Sequence, residues 1–166
     1  MSSHSSEPHA PVFVGKTLAA LEALFPKYPT KMAVLLPALW LVQEARGWIS
    51  GGAILEVAEI LGLTPAYVRG VITFYTMYHT HPVGRHFIQV CTTSPCNISG
   101  AEGVAQALLE HTGCGELGAT SPDGRFTVME VECLGACGFA TPLLIGDDFI
   151  EGVSADSVPA LLERYR

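Results

Sequence analysis

Positive charge is scarce in this sequence: nine Lys and Arg face sixteen Asp and Glu, for a net charge of −7. An acidic chain repels phosphate backbones, which argues against nucleic acid as a partner. Charge of either sign is sparse too, at 15% of residues against 49% hydrophobic ones. Such a surface calls for cover by a membrane or by a permanent protein partner. Long hydrophobic runs are missing. The longest, Ala33–Val42, has Pro37 inside it and is too short for a span, which takes roughly 20 residues. The N-terminal stretch MSSHSSEPHAPVF lacks both an apolar core and Arg, so it reads as neither a signal nor a transit peptide. Cysteine is thin as well, at five in 166 residues, far below the roughly 8–10% of a disulfide scaffold. A reducing, cytoplasmic compartment is expected, with the cysteines serving as thiols, metal ligands or redox groups.

What is present divides the chain. Residues 1–14 read as a flexible lead, polar through Pro11. Thr17–Phe25 is a short apolar-periodic segment ended by Pro26 and Pro29. Thr30 is placed to cap a helix running to about Arg46, with Gly47 as its stop and Pro37 setting back its true start. That stretch is apolar nearly all round, which predicts burial on more than one side. Gly51-Gly52 reads as a break. Ile54, Val57, Ala58, Ile60 and Leu61 then mark a second helix, and Thr64-Pro65 opens a third. Residues 15–80 therefore read as a helical bundle.

His81-Pro82-Val83-Gly84 is the expected domain boundary. Beyond it, residues 81–166 alternate between strand and helix signals. Phe87–Val90 predicts a strand running into Cys91, and Phe126–Val131 a second strand delivering Cys133. Ser99 with Glu102 fits a capping box for a helix to about His111. Leu143–Ile145 and Phe149-Ile150 predict short strands, and Ser154 a cap for a last helix, Asp156–Tyr165. This order suits a small α/β domain with helices packed on a sheet.

Four of the five cysteines fall in two tight pairs. Cys91-Thr-Thr-Ser-Pro-Cys96 is C-x4-C, and Cys133-Leu-Gly-Ala-Cys137 is C-x3-C. Each pair follows a predicted strand. If those strands are parallel neighbours, both loops leave one end of the sheet and four thiolates converge. A [2Fe–2S] cluster asks for two thiolates on each iron. A structural zinc site also takes four thiolates, usually at shorter spacings, and stays open as an alternative. A thioredoxin-type C-x-x-C is absent, and Cys114 reads as a spare thiol. His79 and His81 read as a solvated loop, His86 as a surface or interface residue, and Phe74, Tyr75 and Tyr78 as core or partner contacts. No nucleotide site is expected on this chain.

These residues carry a resemblance. Gly47-Trp48-Ile49, Gly70-Val71-Ile72-Thr73-Phe74-Tyr75, Ile88-Gln89-Val90-Cys91, Ser121-Pro122-Asp123-Gly124-Arg125-Phe126 and Val131-Glu132-Cys133-Leu134-Gly135-Ala136-Cys137 resemble the thioredoxin-like [2Fe–2S] subunit of the NADH dehydrogenase module of respiratory complex I, the E-type subunit family. The likeness runs from about Lys27 to Arg166. It implies a mixed α+β and α/β architecture: a helical bundle followed by a thioredoxin-like [2Fe–2S] ferredoxin domain. It implies that Cys91 and Cys96 hold one iron, and Cys133 and Cys137 the other. The chain would then be an oxidoreductase subunit carrying single electrons, with no catalytic residue or substrate site of its own. NADH, FMN and a [4Fe–4S] cluster would sit on a partner flavoprotein, among other peripheral-arm subunits. The complex would lie at the cytoplasmic side of a bacterial inner membrane. Equivalent subunits of NAD-dependent hydrogenases and formate dehydrogenases, and a free-standing thioredoxin-like ferredoxin, are the alternatives. The family usually has Ala-Pro third and fourth after the last cysteine, whereas here Ala140 is followed by Thr141 and then Pro142. Neither ligand loop contains Lys or Arg, so a low potential is expected.

Overall fold

The computed structural model describes residues 10–165. The chain divides into two compact units between Pro82 and Val83.

The first unit is helical. It contains α1 (Lys16–Glu22), α2 (Leu35–Arg46), α3 (Gly51–Leu61) and α4 (Pro65–Phe74), with 3-10 turns at Phe25–Lys27 and Met32–Val34. Its core gathers Leu21, Val34, Leu39, Val42, Ile49, Val57, Val68 and Ile72. Three local readings need correction here. The apolar stretch around α2 is not buried all round. Leu35, Ala38, Leu39 and Val42 are buried, one stripe at helical spacing, while Trp40 is exposed. The turn Met32–Val34 precedes α2, and Thr30 Oγ1 accepts from the Ala33 amide at that turn instead of capping the helix. Gly51-Gly52 does not break the chain but opens α3. Ser50 Oγ accepts from the Ala53 amide at 3.2 Å, and this cap stabilises a first turn whose residues are poor helix formers. Thr64 caps α4 through the Tyr67 amide.

The expected flexible lead falls partly outside the described residues, at 1–9. Its end is anchored: Val12 and Phe13 are buried, and their amides each donate to the Glu56 carboxylate at 2.9 Å. Two buried apolar side chains and one half-buried acceptor outweigh the polar composition before them. No single described helix is long and apolar enough to cross a membrane. α3 and α4 pass such a test only as a pair, and they are bent by 117°.

The second unit holds a four-stranded sheet in the order β2-β1-β3-β4. The strands are β1 (His86–Cys91), β2 (Phe126–Val131), β3 (Leu143–Ile145) and β4 (Asp148–Ile150). β1 and β2 are parallel, with Cys91 level with Val131, while β3 runs antiparallel to both β1 and β4. The parallel pair requires a crossover, which α5 (Ser94–Ile98) and α6 (Ala101–Thr112) supply. α6 packs against β1, β2 and α7 (Val158–Leu162). Ile88, Val90, Leu108, Val128 and Leu143 fill the core. Gly84 lies two residues before β1, where a Cβ atom would come 2.5 Å from the Phe126 carbonyl carbon at the start of the ladder. Only glycine allows that approach.

The predicted Ser99–Glu102 capping box does not form. Ser99 is the C-cap of α5, and its hydroxyl donates to the Pro95 carbonyl at 2.9 Å, so Gly100 starts α6. The final helix is shorter than expected: α7 covers five residues between 3-10 turns at Ala155–Ser157 and Glu163–Tyr165. Ser154 is held at that entry by its amide, which donates to Ser157 Oγ at 3.1 Å.

Candidate metal centre

Because β1 and β2 are parallel and level, their following loops leave the same end of the sheet. Cys91 is the last residue of β1 and Cys96 sits in α5, where Pro95 fits the first turn of the helix. Cys133 follows β2 by two residues, and Cys137 opens a 3-10 turn, Cys137–Phe139. Gly135, between the last two thiols, has φ +85°, a left-handed conformation that lets the loop curl. Within each pair the sulfurs meet: Cys91 and Cys96 are 3.3 Å apart, and Cys133 and Cys137 are 3.6 Å apart. The pairs differ in exposure. Cys91 and Cys96 are 0% and 1% exposed, whereas Cys133 and Cys137 reach the surface.

Backbone and hydroxyl donors converge on the sulfurs. Cys91 accepts from the Thr93 hydroxyl at 3.2 Å, from the Thr93 amide and from the Leu134 amide of the other loop. Gly135 donates its amide to Cys133 at 3.4 Å. Ala101, Leu134 and Ala140 pack on Cys91 and Cys96, so both loops share one small apolar cluster. Burial opposes ionisation of Cys91, but the donors from Thr93, Leu134 and Cys96 outweigh it and bring the thiol down to about 7. Burial pushes Cys96 up to about 11, helped by its hydrogen bond to Cys91 and by the charges of Cys91, Cys137 and Cys133. Cys137 is also raised, chiefly by its hydrogen bond to Cys133 and by the charge of that group. Four thiols this close cannot all ionise without a cation among them.

The donor chemistry suits an iron–sulfur cluster. A metal–thiolate bond of about 2.3 Å puts neighbouring tetrahedral sulfurs roughly 3.8 Å apart, and both pairs lie near that spacing. Each pair therefore has the spacing to share one metal ion, the two-thiolates-per-iron arrangement of a [2Fe–2S] cluster.

Residues outside the pairs take structural places. Cys114 is buried in the core of the second unit, with its thiol 3.5 Å from the Phe126 carbonyl. Gly113-Cys114-Gly115-Glu116-Leu117-Gly118 spells G-x-G-x-x-G. It follows the end of α6 instead of joining a strand to a helix N-terminus, so it forms no phosphate cradle. His86 is half-exposed, its ring lying near Phe126 and Tyr165, at 5.5 and 5.4 Å. His79, read as part of a solvated loop, is half-buried. Its amide donates to Gln43 Oε1 at 2.7 Å, and burial, then His81, hold its imidazole below the usual range. Tyr78 is buried and donates to the Leu36 carbonyl, whereas Phe74 is exposed. Gly135, with Pro95, is expected from the sequence to let the loops curl so that turned amides reach sulfur, and its amide does so; Thr93 and Leu134 are the donors the sequence reading missed. Their roles depend on backbone direction, which composition and spacing do not carry.

The profile of the thioredoxin-like [2Fe–2S] ferredoxins matches residues 21–166. The chain belongs to that family. Among its curated relatives, the E-type subunit of NADH-quinone oxidoreductase from Pseudomonas aeruginosa is 44% identical over 138 residues, spanning 83% of this chain and 82% of that one. The second E-type subunit of NADH-quinone oxidoreductase from Rhizobium meliloti is 39% identical over 146 residues, spanning 88% and 86%. The mitochondrial NADH dehydrogenase [ubiquinone] flavoprotein 2 of Dictyostelium discoideum is 37% identical over 170 residues, spanning 100% and 68%. Among solved structures, an NAD+-reducing [NiFe]-hydrogenase superposes with a TM-score of 0.63 over 80% of this chain and 22% of that chain. At 23% identity this likeness shows a shared fold. Members of the family are built around a [2Fe–2S] cluster, the cofactor the paired thiols suit.

Proposed function

We propose that this chain is the [2Fe–2S] electron-transfer subunit of an NADH:quinone oxidoreductase. Its ligands are Cys91 and Cys96 on one iron, and Cys133 and Cys137 on the other. The observation that carries this reading is the pair of close thiol pairs at the shared end of parallel strands β1 and β2. When bound, the cluster takes up and releases one electron at a time. The chain's own residues hold it and tune it. Thr93, Leu134 and Gly135 direct hydrogen bonds to ligand sulfurs, and Ala101 and Ala140 keep water from the inner pair. No described Lys or Arg forms part of this arrangement, which supports a low potential set mainly by amide and hydroxyl donors.

The remaining assignments follow from the resemblance to the E-type subunit family. Residues 15–80 serve as a helical bundle and residues 81–166 as the cluster domain. NADH and FMN bind to a partner flavoprotein, which also holds a [4Fe–4S] cluster, and this chain has no substrate site. The exposed pair Cys133–Cys137 and the exposed side chains of Ile98 and Phe139 nearby in sequence belong to the surface that meets the electron donor. The assembly sits on the cytoplasmic side of a bacterial inner membrane, reached through other subunits.

Purified full-length protein tests this. It is expected to hold about two irons and two labile sulfides per chain and to give an EPR signal only after reduction. Co-purification with a flavin-containing NADH-oxidising protein supports the complex. A colourless protein holding one zinc overturns the reading.

A further inference from the structure

One buried polar group beside the thiols has no partner. Thr141 is 0% exposed, and among the described residues its hydroxyl is a buried side-chain oxygen without a hydrogen bond. Its backbone is fixed, because the Thr141 carbonyl accepts from the Val153 amide at 2.9 Å. Both neighbours touch the inner ligand pair. Ala140 packs on Cys91 and Cys96, and the Pro142 carbonyl accepts from the Cys91 amide at 3.4 Å. Position 141 is also where this chain carries threonine in place of proline. A proline there offers no donor, whereas threonine brings a hydroxyl into a dry site. A buried hydroxyl without a partner is costly, and the residues on either side of this one lie against Cys91 and Cys96.

We propose that the Thr141 hydroxyl donates a hydrogen bond to sulfur on the Cys91–Cys96 side of the bound cluster. This rests on the ligand assignment above. The donor acts on the potential. Reduction adds one electron and one negative charge to the cluster, with no atom transferred. A donor to sulfur therefore stabilises the reduced form more than the oxidised one. Thr141 raises the midpoint, offsetting part of the lowering expected from loops without Lys or Arg. It is a positioning and tuning residue, not a ligand.

The test is an EPR-monitored titration with dithionite and mediators on full-length protein, comparing wild type with T141V, T141S and T141A. Iron and labile sulfide are measured first. If wild type holds no cluster, the ligand reading itself fails. With the cluster present, T141V is expected to shift the reduction equilibrium about tenfold toward the oxidised form, a drop of about 59 mV for a one-electron couple. T141S should stay near wild type. The Fe–S stretching bands of T141V should also lose part of their shift on exchange into deuterium oxide. If T141V does not retain the cluster, T141A removes the same hydroxyl with less bulk and decides the question. Midpoints for the hydroxyl-free variants within twofold of wild type overturn the proposal and place a buried water at the hydroxyl. A T141S shift as large as that of T141V also overturns it.

Discussion

Cys96 and Cys91 lie 3.3 Å apart yet respond to their surroundings in opposite directions, one held up to about 11 and the other brought down to about 7. Filling the proposed site must strip a proton from Cys96, so metal competes with protons there. Cluster assembly on the cluster-free chain is expected to strengthen as pH rises from 7 to 9. The gain is up to about tenfold per pH unit for each thiol still protonated. Reconstitution with iron and sulfide at stepped pH, with proton release followed, measures this; uptake that weakens with pH contradicts it. Substitution separates ligands from bystanders. Serine at Cys91, Cys96, Cys133 or Cys137 should cost more than the roughly 10–100-fold typical of outer-shell changes. C114S should leave iron content unchanged, because that thiol sits in the core against the Phe126 carbonyl. Iron loss in C114S alongside full retention in one of the other four would reverse the assignment.

At the scale of elements, β2 and β3 were legible to the residue, because short β-branched and apolar runs ended at turn residues. The helix over residues 94–98 was not. Five residues are too few to show a period, and its Ser-Pro opening reads equally well as a loop. Gly51-Gly52 misled because a glycine costs little at the first turn once Ser50 supplies the cap. The grouping of the cysteines was legible from spacing, but the difference in burial between the two pairs was not, since it depends on which side of the sheet end each loop turns. α2 shows how much one stripe carries. Leu39 is fully buried in the centre of the first unit's core. L39A should cost about 2–5 kcal/mol. Urea unfolding followed by tryptophan fluorescence reports it, since Trp40 and Trp48 both lie in that unit. A change below about 1 kcal/mol would mean that the core collapses around the gap.

Across the whole molecule, the division at Pro82–Val83 leaves every thiol of the candidate centre in one unit. The donors Thr93 and Leu134 lie there too, and that second unit has a core of its own. Residues 83–166 expressed alone are therefore expected to fold and bind iron and sulfide at the stoichiometry of the full chain. Iron analysis and EPR check this. A fragment that folds by circular dichroism but binds no iron would show that the first unit completes the site. Association with the flavoprotein proposed as its partner is what this fragment should lose if the helical unit carries part of the docking surface.

Gly84 gives the sheet a dependence that no ligand list contains. Its Cα lies so close to Phe126 that one added carbon would strike the backbone at 2.5 Å. The contact is at the start of the β1–β2 ladder, and the thiols are at its end, where Cys91 stands level with Val131. At about 3.3 Å per residue, this lever is roughly 20 Å long. A methyl group wedged in at Gly84 would splay two strands whose far ends lead into both loops of the proposed cluster site. The alignment of the electron carrier thus leans on a residue with no side chain, at the opposite end of the sheet.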